Sequence, residues 1–319
     1  MDVCVLGRIG YDLYALDHGR ALPEVERFSR HLGGSSANIA VGLARLGHDV
    51  GIISAVGADA LAEYLLGFLK SEKVDTRFVR LVPGYNTSLC LTEVSPPDRF
   101  PQVFYRREPA DTRVEVGPAE LEAVRGARLF VSNGTSFAAS PSRESTLAAL
   151  RAAREARVRT VLDVDYRASS WPSTAAAGEQ ARRALPFVDV VLGNEDEITL
   201  LTGETDTRRQ VTAVLDLGVG VLVRKLGARG VETHTREEST AVPPLPVPVV
   251  STIGAGDAFA SGFLDGLHRG RPLAECLRAG NAAAAIVVGR VSCSDAMPYR
   301  KEIEALLRAA PGSGERDQP

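Results

Sequence analysis

Short apolar, β-rich runs alternate along the chain with longer stretches in which apolar residues recur at helical spacing. Candidate strands lie at 3–7 (VCVLG), 50–56 (VGIISAV), 127–132 (ARLFVS), 159–165 (RTVLDVD), 188–193 (VDVVLG) and 219–225 (VGVLVRK). They are apolar throughout and lack the in–out alternation of half-exposed strands, as expected where both faces are covered. Helical patterns occupy 36–47, 59–72, 142–156, 174–186 and 207–218, and the last third reads as helices at 254–270 and 272–290. Strand–helix alternation predicts an α/β fold, with a central, mostly parallel sheet flanked by helices. Two segments break the rhythm. Residues 11–34 and 86–111 read as strand–turn–strand, the second around a Pro-Pro-Asp turn at 96–98. Two β excursions from an α/β body predict a small β lid over a cleft. No repeat or long linker divides the chain, so one domain is expected over 1–308, with a disordered tail at 309–319.

Composition narrows the class. Of 319 residues 45% are hydrophobic and 24% charged, ordinary values for a globular protein. A net charge of −3 offers no nucleic-acid footprint. No run approaches the roughly 18 apolar residues of a membrane span, and the N-terminus lacks the basic and hydrophobic regions of a signal peptide. Cys4, Cys90, Cys276 and Cys293 form no CxxC pair, and the five histidines show no metal-binding spacing. A cytoplasmic protein without metal-finger or disulfide framework is expected.

Chemistry concentrates in two segments. In STIGAGDAFASGFL (251–264), Gly254, Ala255 and Gly256 run into a helix whose first turn carries Asp257. Small residues leave backbone N–H groups open, and a helix start carries partial positive charge, so the loop suits an oxyanion with an acceptor beside it. Simple helix capping explains the same Asp equally well on spacing alone. In HLGGSSANIAVGLARLG (31–47), Gly33 and Gly34 permit close approach of a ligand, and Asn38 is polar within an apolar helix. Ser35 or Ser36 capping a helix is the plainer account. Neither a Walker A loop nor a GxGxxG is present.

Taken together, the two segments resemble the two signature regions of the ribokinase-like, PfkB-type carbohydrate kinases. GNEDEITLLTG (193–203), with Asn194 and Glu197, is similar to that family's N-x-x-E element. VLVRKLGARG (221–230) looks like its strand and glycine turn beside the nucleotide, and Asn281 matches a position lining the adenine pocket. The resemblance extends over nearly all of 1–308. CVLGRIGYDLY, SPPDRFPQVFYRREPAD, LDVDYRASSW and VGRVSCSDAMP further resemble the branch acting on keto-deoxy-gluconates in inositol breakdown.

The resemblance implies ATP-dependent phosphorylation of the primary hydroxyl of 5-dehydro-2-deoxygluconate, with 2-dehydro-3-deoxygluconate or another sugar as the alternative. Asp257 would accept the hydroxyl proton, and the N–H groups of residues 255–257 would face the transferring phosphoryl oxygens. It places Asp12, Gly33, Gly34, Asn38, Arg106 and Arg167 around the sugar acid, the two arginines on its carboxylate. Asp163 and Asp165 would orient Arg167. ATP would contact Asn194, Lys225, Gly227, Gly230, Thr252 and Asn281, although Lys225 reads equally as a strand-end surface charge. Mg²⁺ would be served through water by Asn194 and Glu197. Ser251 stands where the family's second signature usually opens with Asp, removing a hard oxygen ligand, so weak or absent potassium activation is expected. The expected partners are a small sugar acid and ATP, not nucleic acid or membrane, and exposed lid edges could pair two copies as a homodimer. A non-catalytic sensor that kept the fold is the rival from another class, and the intact Asp257 speaks against it.

Overall fold

The computed structural model describes residues 1–96 and 99–309. The expected tail therefore lies, from 310 onward, outside the described residues, as do Pro97 and Asp98 of the Pro-Pro-Asp turn. In chain order the strands and longer helices begin with β1 (Val3–Leu6), β2 (Gly10–Ala15), β3 (Phe28–Gly33), α1 (Ser35–Arg45), β4 (Val50–Gly57), α2 (Ala60–Ser71), β5 (Val79–Val82), β6 (Ser88–Thr92) and β7 (Gln102–Tyr105). The middle of the chain forms α3 (Pro118–Gly126), β8 (Leu129–Asn133), α4 (Ser142–Glu155), β9 (Arg159–Asp163), α5 (Thr174–Ala184), β10 (Val190–Asn194), α6 (Glu195–Thr202) and α7 (Thr207–Asp216). It closes with β11 (Val221–Lys225), β12 (Val231–His234), β13 (Ser239–Val242), α8 (Ala255–His268), α9 (Leu273–Val288) and α10 (Arg300–Ala309).

Nine strands form the main sheet in the order β13-β12-β11-β10-β9-β8-β1-β4-β5, parallel except at the β11–β12 and β12–β13 pairings. The apolar runs form its centre, and every residue of β1, β4 and β8 is buried. Alternate residues serve opposite faces. Val3 and Val5 join the cluster under α1, α8 and α9, whereas Cys4 and Leu6 join the cluster under α4 to α7. Each fully buried Val, Leu or Ile contributes about 1.5–3 kcal/mol, which explains why continuous apolar runs settle here. Side chains set several helix starts. Asp59, Ser173 and Asp206 each accept a backbone N–H at the start of α2, α5 and α7.

The two β excursions meet in a second sheet of four strands, ordered β3-β2-β6-β7. The β2–β6 pair is parallel and the outer pairs are antiparallel. Helices α3, α6 and α10 and strands β5, β12 and β13 are absent from the sequence expectation. Each is short or polar: β5 and β13 have no buried residue, and α3 and α10 have one each. Hydrophobic periodicity says little about such elements.

Candidate active site

Carboxyl ends of parallel strands, where open α/β sheets place their ligands, collect the polar groups of this molecule. Asn133 closes β8, Asp163 closes β9, Asn194 closes β10 and Lys225 closes β11. Facing them is the start of α8. Gly254 precedes it with φ 81°, a left-handed conformation that favours glycine, and Ala255, Gly256 and Asp257 form the first turn. First-turn N–H groups lack intrahelical partners, and no side chain caps this helix. The loop thus presents uncapped N–H donors at a helix start, and Asp257 lies beside them.

Two cavities meet at this loop. A polar cleft of about 510 Å³ is lined by Asp163, Asp165, Arg167, Asn194, Glu197, Lys225, Asp257 and, from the small sheet side, Phe100 and Gln102. An apolar slot of about 550 Å³ is lined by Gly227, Gly230, Val231, Leu245, Val249, Phe259, Asn281 and Ala284 among others. Lys225, Gly227, Thr252 and Gly256 line both.

Asp257 is held by neutral donors. Ser35 Oγ donates to Oδ1 at 2.7 Å and Asn38 Nδ2 to Oδ2 at 2.7 Å. Asn133 Nδ2 donates to Ser35 Oγ at 2.7 Å, and Ser294 Oγ to Asn38 Oδ1 at 2.6 Å, so both holders are themselves held. Burial pushes the Asp257 carboxyl above the ordinary aspartate value, helped by nearby Asp165 and opposed by Asn38, Ser35 and Arg167. Burial likewise pushes Asp12 up to about 6, against the pull of Arg8. Lys225 Nζ donates to both oxygens of Asp163, at 3.0 and 3.3 Å. Burial works against the Lys225 ammonium, but Asp163 and Glu197 outweigh it and keep its pKa above the ordinary lysine value. Burial raises Asp163 while Lys225 holds it down. Arg167 pairs with Asp165 at 3.0 Å, the main reason its own pKa is raised.

Several expected positions differ in detail. Asn38 is engaged on Asp257 and Ser294. Gly33 makes room for the chain's own Asp12: a Cβ there would fall on that carboxylate. A Cβ at Gly34 would strike the Arg8 carbonyl. Asn194 and Glu197 form a capping box on α6, Asn194 Oδ1 accepting from Glu197 N at 2.9 Å. Glu197 accepts the N–H groups of Asn194 and Tyr166 at 2.8 and 3.0 Å. Asn281 Nδ2 donates to the Pro243 carbonyl at 2.8 Å, tying down the strand-free wall of the slot. Lys225 is an ion-paired charge at the cavity wall, its side chain 16% exposed, and not a free surface one. Ser251 is buried, its Oγ accepting from Ile253 N at 3.2 Å.

Arg106 departs furthest from expectation. Strand alternation does send Tyr105 outward, 61% exposed, and Arg106 inward. Its side chain, 5% exposed, ion-pairs with Asp111 and donates to Ser170 and Ser88, and it is not among the residues lining the polar cleft. An in-chain carboxylate five residues on already takes the guanidinium. Sequence reasoning also missed Asn133, Ser294 and the Pro-rich slot wall at 244–249. Only Asn133 left a signal, a polar residue ending a wholly apolar strand.

A parallel sheet with an open helix start, an aspartate beside it and paired polar and apolar cavities defines a group-transfer enzyme of ribokinase-like fold. The chain belongs to the pfkB family of carbohydrate kinases, whose family model matches residues 1–300, and it is a sugar kinase. It is 34% identical over 322 residues to a 5-dehydro-2-deoxygluconokinase of Clostridium beijerinckii, covering 97% of this chain and 93% of that one. The crystal structure of a PfkB protein from a Polaromonas species superposes with a TM-score of 0.83 at 27% identity, covering 96% and 99% of the two chains. Aminoimidazole riboside kinase from Salmonella enterica, complexed with aminoimidazole riboside and an ATP analogue, superposes with a TM-score of 0.82 at 28% identity, again covering 96% and 99%. Among the described residues no helix is long and apolar enough to cross a membrane.

Proposed function

We propose that this chain transfers the γ-phosphoryl group of ATP to the primary hydroxyl of 5-dehydro-2-deoxygluconate. The observation that carries the reading is the position of Asp257 in the polar cleft with Arg167, one residue from Gly256, where that cleft meets the apolar slot. The slot, with Asn281, Gly227 and Gly230 on its walls, suits a base and ribose, and Lys225 and Thr252 lie where phosphates would cross into the cleft. The N–H groups at the start of α8 would face the transferring phosphoryl oxygens. The hydroxyl oxygen forms a bond to the γ-phosphorus, the bond to the ADP oxygen breaks, and the hydroxyl proton passes to Asp257. The raised pKa of Asp257 suits this role, because a stronger base takes the proton more readily. Asn38 and Ser35 aim the carboxylate, while Asp12, Gly33 and Gly34 border the sugar.

Asp163, Asp165, Asn194 and Glu197 give the cleft the oxygen donors that suit Mg²⁺. The two aspartates are paired with Lys225 and Arg167, and Glu197 is satisfied by backbone N–H groups. Asn194 and Glu197 would therefore hold the ion through water. When bound it supplies charge neutralisation of the phosphates. Arg167 supports recognition of the acid group, with Arg106 reaching it only by leaving Asp111. The small sheet, whose Gln102 borders the cleft, would act as the lid, and its edge β7, with Val103 and Tyr105 exposed, favours pairing of two copies there. Residues 1–308 act as one domain in this reading. Four buried free cysteines fit a reducing cytoplasm.

The test is ADP release by the purified protein with 5-dehydro-2-deoxygluconate, 2-dehydro-3-deoxygluconate, a neutral ketohexose and a nucleoside. The first substrate is expected to give the highest kcat/KM. A preference for a neutral sugar or nucleoside, or no turnover on any substrate, overturns the reading.

A further inference from the structure

Arg8 follows β1 at the same end of the main sheet as the site; it is 6% exposed and, like Arg106, lies behind the residues that line the polar cleft, so a substrate reaches it only if the small sheet shifts. Among the described residues its guanidinium forms no ion pair and no hydrogen bond, and its Nε is fully enclosed without a partner. Arg224, an arginine of equal burial, makes an ion pair with Glu232. Arg106, buried beside Arg8, has Asp111. An isolated buried cation is costly, and proteins pair such groups or spare them water loss. Arg8 is enclosed by groups that cannot discharge it. The Phe104 ring lies 5.8 Å from its guanidinium carbon, Gly10 abuts Nη1, and the Arg106 guanidinium repels it. Asp12, whose carboxylate is close enough to feel Arg8, Arg167 and Asp257 together, is left short of a direct ion pair.

We propose that Arg8 is a carboxylate-binding residue, donating its guanidinium fork to the acid group of the substrate. This rests on the sugar-acid reading above and transfers acid recognition from Arg106, whose donors are taken, to Arg8, which makes no side-chain hydrogen bond among the described residues. Planar guanidinium matches a carboxylate bidentately, and the enclosed site strengthens the contact. The lid strand that carries Phe104 covers the pair, so binding of the acid replaces an unpaired charge with a closed one. Arg8 belongs to the CVLGRIGYDLY opening, which also supplies Asp12.

Arg8→Met and Arg8→Lys test this in the full-length protein, with 5-dehydro-2-deoxygluconate, a neutral sugar of similar shape and a sugar phosphate as substrates. Arg8→Met is expected to lose roughly tenfold to a hundredfold in kcat/KM for the acid, the range of a charge-assisted hydrogen bond, with little change for the neutral sugar or in KM for ATP. Arg8→Lys should recover part of the loss. A second readout separates recognition from structure: without ligand, Arg8→Met should melt at or above the wild-type Tm, because it removes an unpaired buried charge, and the Tm rise that the sugar acid gives wild type should vanish. Equal losses on acid and neutral sugar, or a lowered ligand-free Tm, would overturn the assignment while leaving a wild type that favours sugar acids intact. A larger loss on the sugar phosphate than on the acid would also overturn it, naming phosphate as the oxyanion. A wild type that ignores sugar acids would instead sink the functional reading and this assignment with it.

Discussion

Asp257 and Asp265 sit on the same helix, eight residues or about 12 Å apart. Asp265 is buried and Asp257 half-buried, and both accept hydrogen bonds from side chains, yet their surroundings push them in opposite directions. Asp257 receives an amide and a hydroxyl. Asp265 receives His48 at 2.7 Å, Arg269 at 2.9 Å and Arg300 at 2.8 Å. Burial raises both carboxyls. Around Asp265 the hydrogen bonds from His48, Arg300 and Arg269 outweigh it and hold the group well below the ordinary range. Around Asp257 the two neutral donors do not, and Asp165 adds to the rise. The number of hydrogen bonds thus says less about an acid's job than the charge of their donors. A base must be able to take a proton; a clamp tying α8 to the turn after α1 and to α10 must never do so.

Exchanging the two roles gives the largest effect. Asp257→Asn should lower kcat by about 10²–10⁴, the usual worth of a positioned base, with the fold kept. Turnover near wild type in a folded variant would remove Asp257 from the reaction. Asp265→Ala should leave kcat nearly unchanged but cost about 3 kcal/mol of stability, because His48 is left buried without its partner. Urea unfolding measures it. That stability is present above the ordinary aspartate pKa and is lost as pH falls through the depressed folded value, so wild type and variant should converge only in strong acid. A variant that unfolds like wild type at pH 7 breaks the contrast.

A finer change sharpens it. The hydrogen bond from Asn38 lowers the Asp257 pKa, which burial raises above the ordinary aspartate value, so Asn38→Ala should move the acid limb of kcat/KM to higher pH. An unmoved limb would mean that Asp257 titration does not set it. The smallest effect concerns the loop entering α8. Ser251 offers its hydroxyl to Ile253 N and no carboxylate. Replacing sodium by potassium at constant ionic strength should change kcat little, and a large rise would show a cation site built from other oxygens.

Residue order alone determined much of this protein. Continuous apolar runs can be satisfied only between two helical layers, so the central strands and the α/β class were legible, as was the Gly254–Asp257 helix start, whose chemistry is local. The polar N-x-x-E segment, by contrast, was read from its family likeness alone, and folding shows that the same two residues also build a capping box on α6. Three-dimensional packing alone decided which polar side chains are spent on one another. Arg106 and Arg8 are alike in sequence as arginines of branch-like segments. Asp111 folds onto one, while the other is enclosed by Phe104, Gly10 and Arg106. Ser294 and Asn38, hydrogen-bonded to each other, lie 256 residues apart along the chain, and with Ser35 and Asn133 they still form one network around Asp257. Side-chain hydrogen bonds and ion pairs act over a few ångströms, and residue spacing carries no information about which distant groups will come within that reach.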